Sequence, residues 1–173
     1  DNLAMTEERK QQLASQYTGR YKSIYILGLR VAACGAIYDN FDRANNVFSG
    51  DVSNALRDSQ HYIACDYGTV NPCVFLDCAS TEDGVVYVLR EYRWDSRLRM
   101  AQKTDAAYVQ AMIKFAGAPE SCDAIIIVDP SAVSFINALR AEGFFEQPAN
   151  NAVLNGIMKV SSLIGQKRLK IHE

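Results

Sequence analysis

Tyr62-Ile63-Ala64-Cys65-Asp66-Tyr67-Gly68-Thr69 is an apolar and aromatic run that meets an acid and passes at once into a glycine turn. Tyr62 to Cys65 has the composition of a short buried strand. Gly68 lets the backbone turn, and Asn71-Pro72 marks a second turn. Asp66 therefore falls on the last residue of the strand, with its carboxylate facing outward from the sheet edge. A carboxylate there suits a hard cation such as Mg²⁺. The alternative is a turn residue that bonds its own backbone.

Downstream of this stretch the pattern is regular. Cys73-Val74-Phe75-Leu76 reads as a second buried strand, Glu82-Asp83-Gly84 as a hairpin turn, and Val85 to Leu89, running on to Glu91-Tyr92, as a third strand. Three antiparallel strands in a meander are the economical arrangement. Thr104 is placed to cap a helix through about Ala116, with Ala107, Ala111 and Phe115 spaced by four. Ala124 to Val128 is the most apolar run and predicts a central strand. It ends at Asp129-Pro130-Ser131, and a helix through Phe135, Ile136 and Leu139 to Gly143 follows. Asn151 opens a last helix, Val153 to Ile164, and Arg168 to Ile171 reads as a final short strand. The order combines an antiparallel meander with parallel crossover units: an α/β fold, a mixed sheet with helices on both faces.

Upstream, Thr6-Glu7-Glu8 has the form of a helix start, threonine as cap and acids in the first turn, with the helix running to about Gln16. Tyr21 to Ala36 reads as a helical or mixed stretch with Ile24, Leu27 and Val31 on one face. Polar Asp39 to Asp58 reads as loop or linker.

The chain has 173 residues, enough for one sizeable core. A net charge of −2 means that any nucleic-acid surface has to be local. The five cysteines form no Cys-x-x-Cys pair and lie mostly in apolar runs, which reads as reduced core residues. Zinc ligation by His61, Cys65, Cys73 and Cys78 would need an unusual spacing. No apolar stretch has the length of a membrane span.

Asp129 repeats the logic of Asp66. Ligands in open α/β sheets bind beyond the carboxyl ends of the strands. If the two strands are neighbours, both acids enter one crevice, and two like charges held close call for a cation between them. A pair of divalent ions serves nucleases and polymerases in this way. The alternative for Asp129 is a helix N-cap followed by proline. Asp77 and Glu91 read as solvated edge residues, and His61 and His172 as surface or satisfied core histidines. Arg90, Arg93, Arg97, Arg99 and Lys103, around the single Trp94, form the densest basic stretch. It is either a phosphate-contacting loop or a solvated connection whose charge Glu91 and Asp95 partly balance.

Taken in order, several stretches resemble a known family. They are Tyr25-Ile26-Leu27-Gly28, Ala36-Ile37-Tyr38-Asp39-Asn40-Phe41-Asp42, Asp66-Tyr67-Gly68-Thr69-Val70-Asn71-Pro72, Val128-Asp129-Pro130-Ser131-Ala132, Phe135-Ile136-Asn137-Ala138-Leu139-Arg140 and Asn150-Asn151-Ala152-Val153-Leu154-Asn155-Gly156-Ile157. The set resembles the large subunit of tailed-phage or prophage terminases. The resemblance implies an RNase H-like nuclease domain over 59–173, truncated at its C-terminus. It also implies that 1–58 is the tail of an ATPase domain with its linker. Asp66 and Asp129 would then be catalytic metal ligands for two Mg²⁺ or Mn²⁺ ions, and the activity would be cutting of concatemeric double-stranded DNA at initiation and termination of packaging. The implied partners are DNA, the portal protein and the terminase small subunit, with no membrane, a monomer in isolation and a ring in the motor. The implied setting is the bacterial cytoplasm. The family's third metal-binding acid is expected beyond Glu173, and Asn151 and Asn155 stand where relatives often carry acids. No Gly-x-x-x-x-Gly-Lys-Ser/Thr loop occurs in the chain. The rival readings are an actin-like or sugar-kinase-type ATPase domain, opened by Asp66-Tyr67-Gly68-Thr69, and a non-catalytic module docking DNA or portal.

Overall fold

The computed structural model describes residues 36–173, together with Thr6 and Glu8. Apart from Thr6 and Glu8, the two expected helical stretches before Ala36 lie outside the described residues. The chain divides into two compact units, one of Gly50–Asn151 with His172, the other of Asp1–Ser49 and Ala152–Ile171 with Glu173.

The Gly50–Asn151 unit is built on five strands: β2 (Gln60–Asp66), β3 (Cys73–Ser80), β4 (Val86–Trp94), β5 (Ile125–Val128) and β6 (Glu146–Pro148). Their order is β4-β3-β2-β5-β6. β2 pairs antiparallel with β3, and β3 with β4, which is the expected meander. β5 runs parallel to both β2 and β6. The apolar run at Ile125 thus occupies an internal strand, as its lack of alternation requires. β6 is absent from the sequence expectations: Glu146-Gln147-Pro148 has no strand-like pattern, and tertiary pairing to β5 overrides its weak propensity.

Helices α3 (Asp105–Ala116) and α4 (Val133–Ala141) cover one face of this sheet. Thr104 caps α3 as expected, its hydroxyl accepting from the Ala107 N–H. Tyr108, Val109 and Met112 of α3 meet Phe135 and Leu139 of α4 over Ile63, Cys65, Cys73, Phe75, Ile126 and Val128, and all these side chains are buried. Phe75 lies at the centre, its ring stacked 4.7 Å from Tyr92 and 6.2 Å from Phe135.

In the other unit, α1 (Arg43–Asn46), β1 (Val47–Phe48), α5 (Val153–Gly165) and β7 (Leu169–His172) come together. The stretch expected to be loop therefore contains a short helix and a strand. Asp42 caps that helix by accepting from the Ala44 N–H. Buried Asn46 donates to the carbonyls of Ile164 and Leu169, so a polar side chain splices the element to its neighbours. A short one-turn helix, α2 (Ser96–Arg99), is also new relative to the sequence reading, and Asp95 caps it. No helix among the described residues is long and apolar enough to cross a membrane.

Candidate active site

Asp66 is the last residue of β2, and Asp129 directly follows the last residue of β5. The two strands are parallel neighbours in register, Cys65 opposite Val128. The two acids thus leave the sheet at the same level, one strand spacing apart, about 4.8 Å. Cys65 and Val128 are buried on the helix-covered face, so alternation turns Asp66 to the opposite face, where it is exposed.

The Asp66 carboxylate makes no hydrogen bond and no ion pair among the described residues. The turn-residue reading therefore finds no support in its contacts. The loop that follows is held by its neighbours instead. Tyr67 stacks on Phe135 at 4.8 Å with an interplanar angle of 2°, and meets Tyr108 edge-on at 5.6 Å. Its hydroxyl donates to the Asp105 carboxylate at the start of α3. Burial and that carboxylate push the Tyr67 phenol up to about 12. The Tyr108 hydroxyl donates to the Gly68 carbonyl at 3.3 Å. A Cβ on Gly68 would stand 2.5 Å from the Asn71 carbonyl oxygen and 2.7 Å from that of Pro72, so the chain folds back over a residue that has to be glycine.

Asp129 is not the N-cap expected as the alternative. α4 begins at Val133, and its cap position is Ala132. Asp129 forms an Asx turn, with Oδ1 accepting from the Ser131 N–H at 2.7 Å. Oδ2 accepts from Asn151 Nδ2 at 3.2 Å. Hydrogen bonds from Ser131 and Asn151 hold the carboxyl below its usual range, so it stays ionised. Asn151 reaches this position because β6 runs parallel to β5, and the chain continues past Pro148 at the same end of the sheet. The sequence alone assigns Asn151 no more than a local-charge role. Its place beside Asp129 depends on β6, which the sequence does not disclose.

The basic stretch is spread over different surroundings. Arg93 pairs with Val74, which pairs with Asp66, so Arg93 and Asp66 share a row and a face of the sheet, with Arg93 exposed. Its guanidinium lies 3.3 Å from Asp95. Arg97 has no ion pair among the described residues. Arg99 lies over Trp94, 4.8 Å from the ring centre. Lys103 donates to the Tyr92 hydroxyl at 2.9 Å and lies 4.1 Å from the Trp94 ring. Arg90 stands apart. It bonds Asp77 at 2.8 Å and covers Phe115 at 4.5 Å, on the helix-covered face. Asp77 itself is buried and ion-paired rather than a solvated edge residue. Its Oδ1 stays unbonded, with His61 Nδ1 at 3.5 Å.

Cys65, Cys73, Cys78 and Cys122 are free thiols. Among the described residues, no group of three or more His, Cys, Asp or Glu side chains is arranged to hold a metal ion. What the strand ends offer is two carboxylates and one amide. Oxygen donors of this kind fit Mg²⁺ or Mn²⁺, which are bound through one or two carboxylates with water and substrate phosphates.

No protein-family model matches the chain, and no curated protein does. Solved structures do. The large terminase from a thermophilic bacteriophage, in complex with ADP, is 37% identical with a TM-score of 0.85, over 100% of this chain and 42% of its own. This chain thus spans less than half of that protein. The P22 large terminase nuclease domain matches at TM-score 0.63 and 15% identity, over 80% of this chain and 73% of its own. The large terminase nuclease of the thermophilic phage G20c, with bound cobalt, matches at 0.52 and 12%, over 82% and 76%. At those identities the last two speak to the fold, which is that of the terminase nucleases and RNase H-like. The likeness to the ADP-bound large terminase, 37% identical, runs the whole length of this chain, which has the fold of the terminase nuclease domains.

Proposed function

We propose that this chain is the metal-dependent endonuclease part of a viral DNA-packaging motor, cutting concatemeric double-stranded DNA when packaging starts and stops. The observation that carries this reading is the pair Asp66 and Asp129 on the ends of adjacent parallel strands, the first without any bonding partner among the described residues. Asp66 would hold a divalent ion, and two ions if it bridges. Asp129, fixed in orientation by Ser131 and Asn151, would be the second anionic ligand. When bound, Mg²⁺ or Mn²⁺ supplies an activated water and neutralises charge on the leaving 3′-oxygen. Arg93, in the same row as Asp66, is positioned for a neighbouring phosphate, and Arg97 and Arg99 extend that surface. Lys103 shapes the aromatic floor beneath them, and Arg90 would meet DNA only beyond the helix-covered face.

Support for divalent metal use comes from the G20c nuclease, whose structures carry cobalt and magnesium. Portal protein and terminase small subunit are the proposed protein partners, within a ring on the procapsid in the bacterial cytoplasm. Residues 1–58 are proposed as the end of the ATPase domain and its linker. Asp66→Asn removes charge with almost no change in volume. It is expected to abolish Mn²⁺-dependent nicking of supercoiled plasmid while the thermal melt stays within about 0.5 kcal/mol of wild type. Nicking at the wild-type rate would remove Asp66 from the chemistry.

A further inference from the structure

The turn between β4 and α3 combines features that a solvated connection does not need. Leu98 is 80% exposed and Met100 93% exposed, two large apolar side chains held out at one tip. They alternate with Arg97 and Arg99. The tip is closed rather than loose. Asp95 accepts from the Arg97 and Leu98 N–H groups at 3.1 and 3.2 Å. Ala101 N–H returns to the Ser96 carbonyl at 3.2 Å, and Trp94 Nε1 donates to the Ala101 carbonyl at 3.1 Å. Met100 sits at φ 48°, a left-handed conformation that a non-glycine residue adopts only under constraint. Lys103 and Arg99 both lie against Trp94 and brace the base of the turn.

The location is as informative as the shape. Trp94 pairs with Cys73, and Arg93 shares the row of Asp66, so the tip rises from the same sheet end as the two acids. Its cationic rim complements a polyanion, whereas its apolar centre has no use for phosphate. Proteins that bind the minor groove combine these two features, arginine on the groove and a leucine or methionine driven between base pairs.

Resting on the nuclease reading, we propose that the Ser96–Met100 turn is a wedge that enters the minor groove of duplex DNA and inserts Leu98 or Met100 at a base step beside the scissile strand. Arg97 and Arg99 hold the flanking phosphates. The unstacking loosens the duplex where a strand has to approach Asp66 and Asp129. Flexible pyrimidine–purine steps such as TA would yield most readily. Because the turn is already closed, little ordering is left to occur on binding.

The test uses the 173-residue chain and a short duplex with 2-aminopurine at a TA step, in EDTA so that nothing is cut. Wild type is expected to raise 2-aminopurine fluorescence on binding. The double variant Leu98→Ala, Met100→Ala is expected to lose that rise and to bind about tenfold more weakly, as removal of one buried apolar side chain would give, with the same salt dependence. The double variant Arg97→Ala, Arg99→Ala is expected to lower the slope of log affinity against log salt by about 1.8. A wild-type complex with no fluorescence rise overturns the proposal. So does an apolar double variant that binds and unstacks like wild type, the result expected if the tip docks a protein instead. Failure of the nuclease reading looks different: Asp66→Asn would nick plasmid at full rate whatever the fluorescence shows.

Discussion

Asp66 and Arg93 pair with the same residue, Val74, from opposite sides, and so stand in one row on one face of the sheet. Two strand spacings separate them, about 10 Å. On the proposed function, backbone register thereby sets the spacing of an anion for metal and a cation for phosphate. Arg93→Ala is expected to weaken binding to every duplex alike and to lower the salt slope by about 0.9. Stability should hardly change, since the Arg93–Asp95 pair is exposed on its arginine side and screened by solvent. Anisotropy titrations at several salt concentrations check the slope, and chemical denaturation checks the stability.

Asn151 donates to Asp129, so an acid at this position would add a negative charge beside Asp129. Asn151→Asp is expected to tighten Mn²⁺ binding about tenfold, because affinity for hard cations follows the number of charged ligands. Without metal the same change should lower the melting temperature through like-charge repulsion. Calorimetric titration with Mn²⁺, beside melts with and without the ion, reads both effects.

Gly68 has no room for a side chain beneath the Asn71 and Pro72 carbonyls. Gly68→Ala is expected to destabilise the protein by about 1–3 kcal/mol and to displace the loop that follows Asp66. Nicking activity should fall more steeply than the melting temperature implies, which rates compared well below the melt would reveal.

The Tyr67 phenol, pushed up to about 12 by burial and by Asp105, links this loop to alkaline stability. The folded protein keeps a proton that the unfolded chain begins to lose near pH ~10. Its contribution is complete below about pH 10 and is lost as pH rises toward about 12. Urea midpoints for wild type are expected to fall across that window. Tyr67→Phe removes this part of the slope and lowers stability at neutral pH by about 1 kcal/mol through the lost hydrogen bond.

The sheet meander, the parallel strand at Ile125 and the helices at Asp105 and Val133 are legible because their apolar patterns are strong and their boundaries carry Thr, Asp, Gly or Pro. Asp66 and Asp129 are legible for the same reason: each ends an apolar run. β6 and α1 are not, since Glu146-Gln147-Pro148 is held by pairing to β5 and Arg43-Ala44-Asn45-Asn46 by the bonds of Asn46 to Ile164 and Leu169, far along the chain. Asn151 follows β6 into obscurity. Asp77 reads wrongly from sequence because its burial depends on Arg90 lying opposite it across β3 and β4, a register that composition does not reveal.

The most direct measurement is an anomalous difference map from crystals grown with Mn²⁺ and a short duplex, for wild type and for Asp66→Asn. The expected result is a metal peak bonded to an oxygen of both Asp66 and Asp129 in the wild type and absent from the variant. An empty crevice between these two acids, in a protein that still nicks DNA in Mn²⁺, would contradict the account.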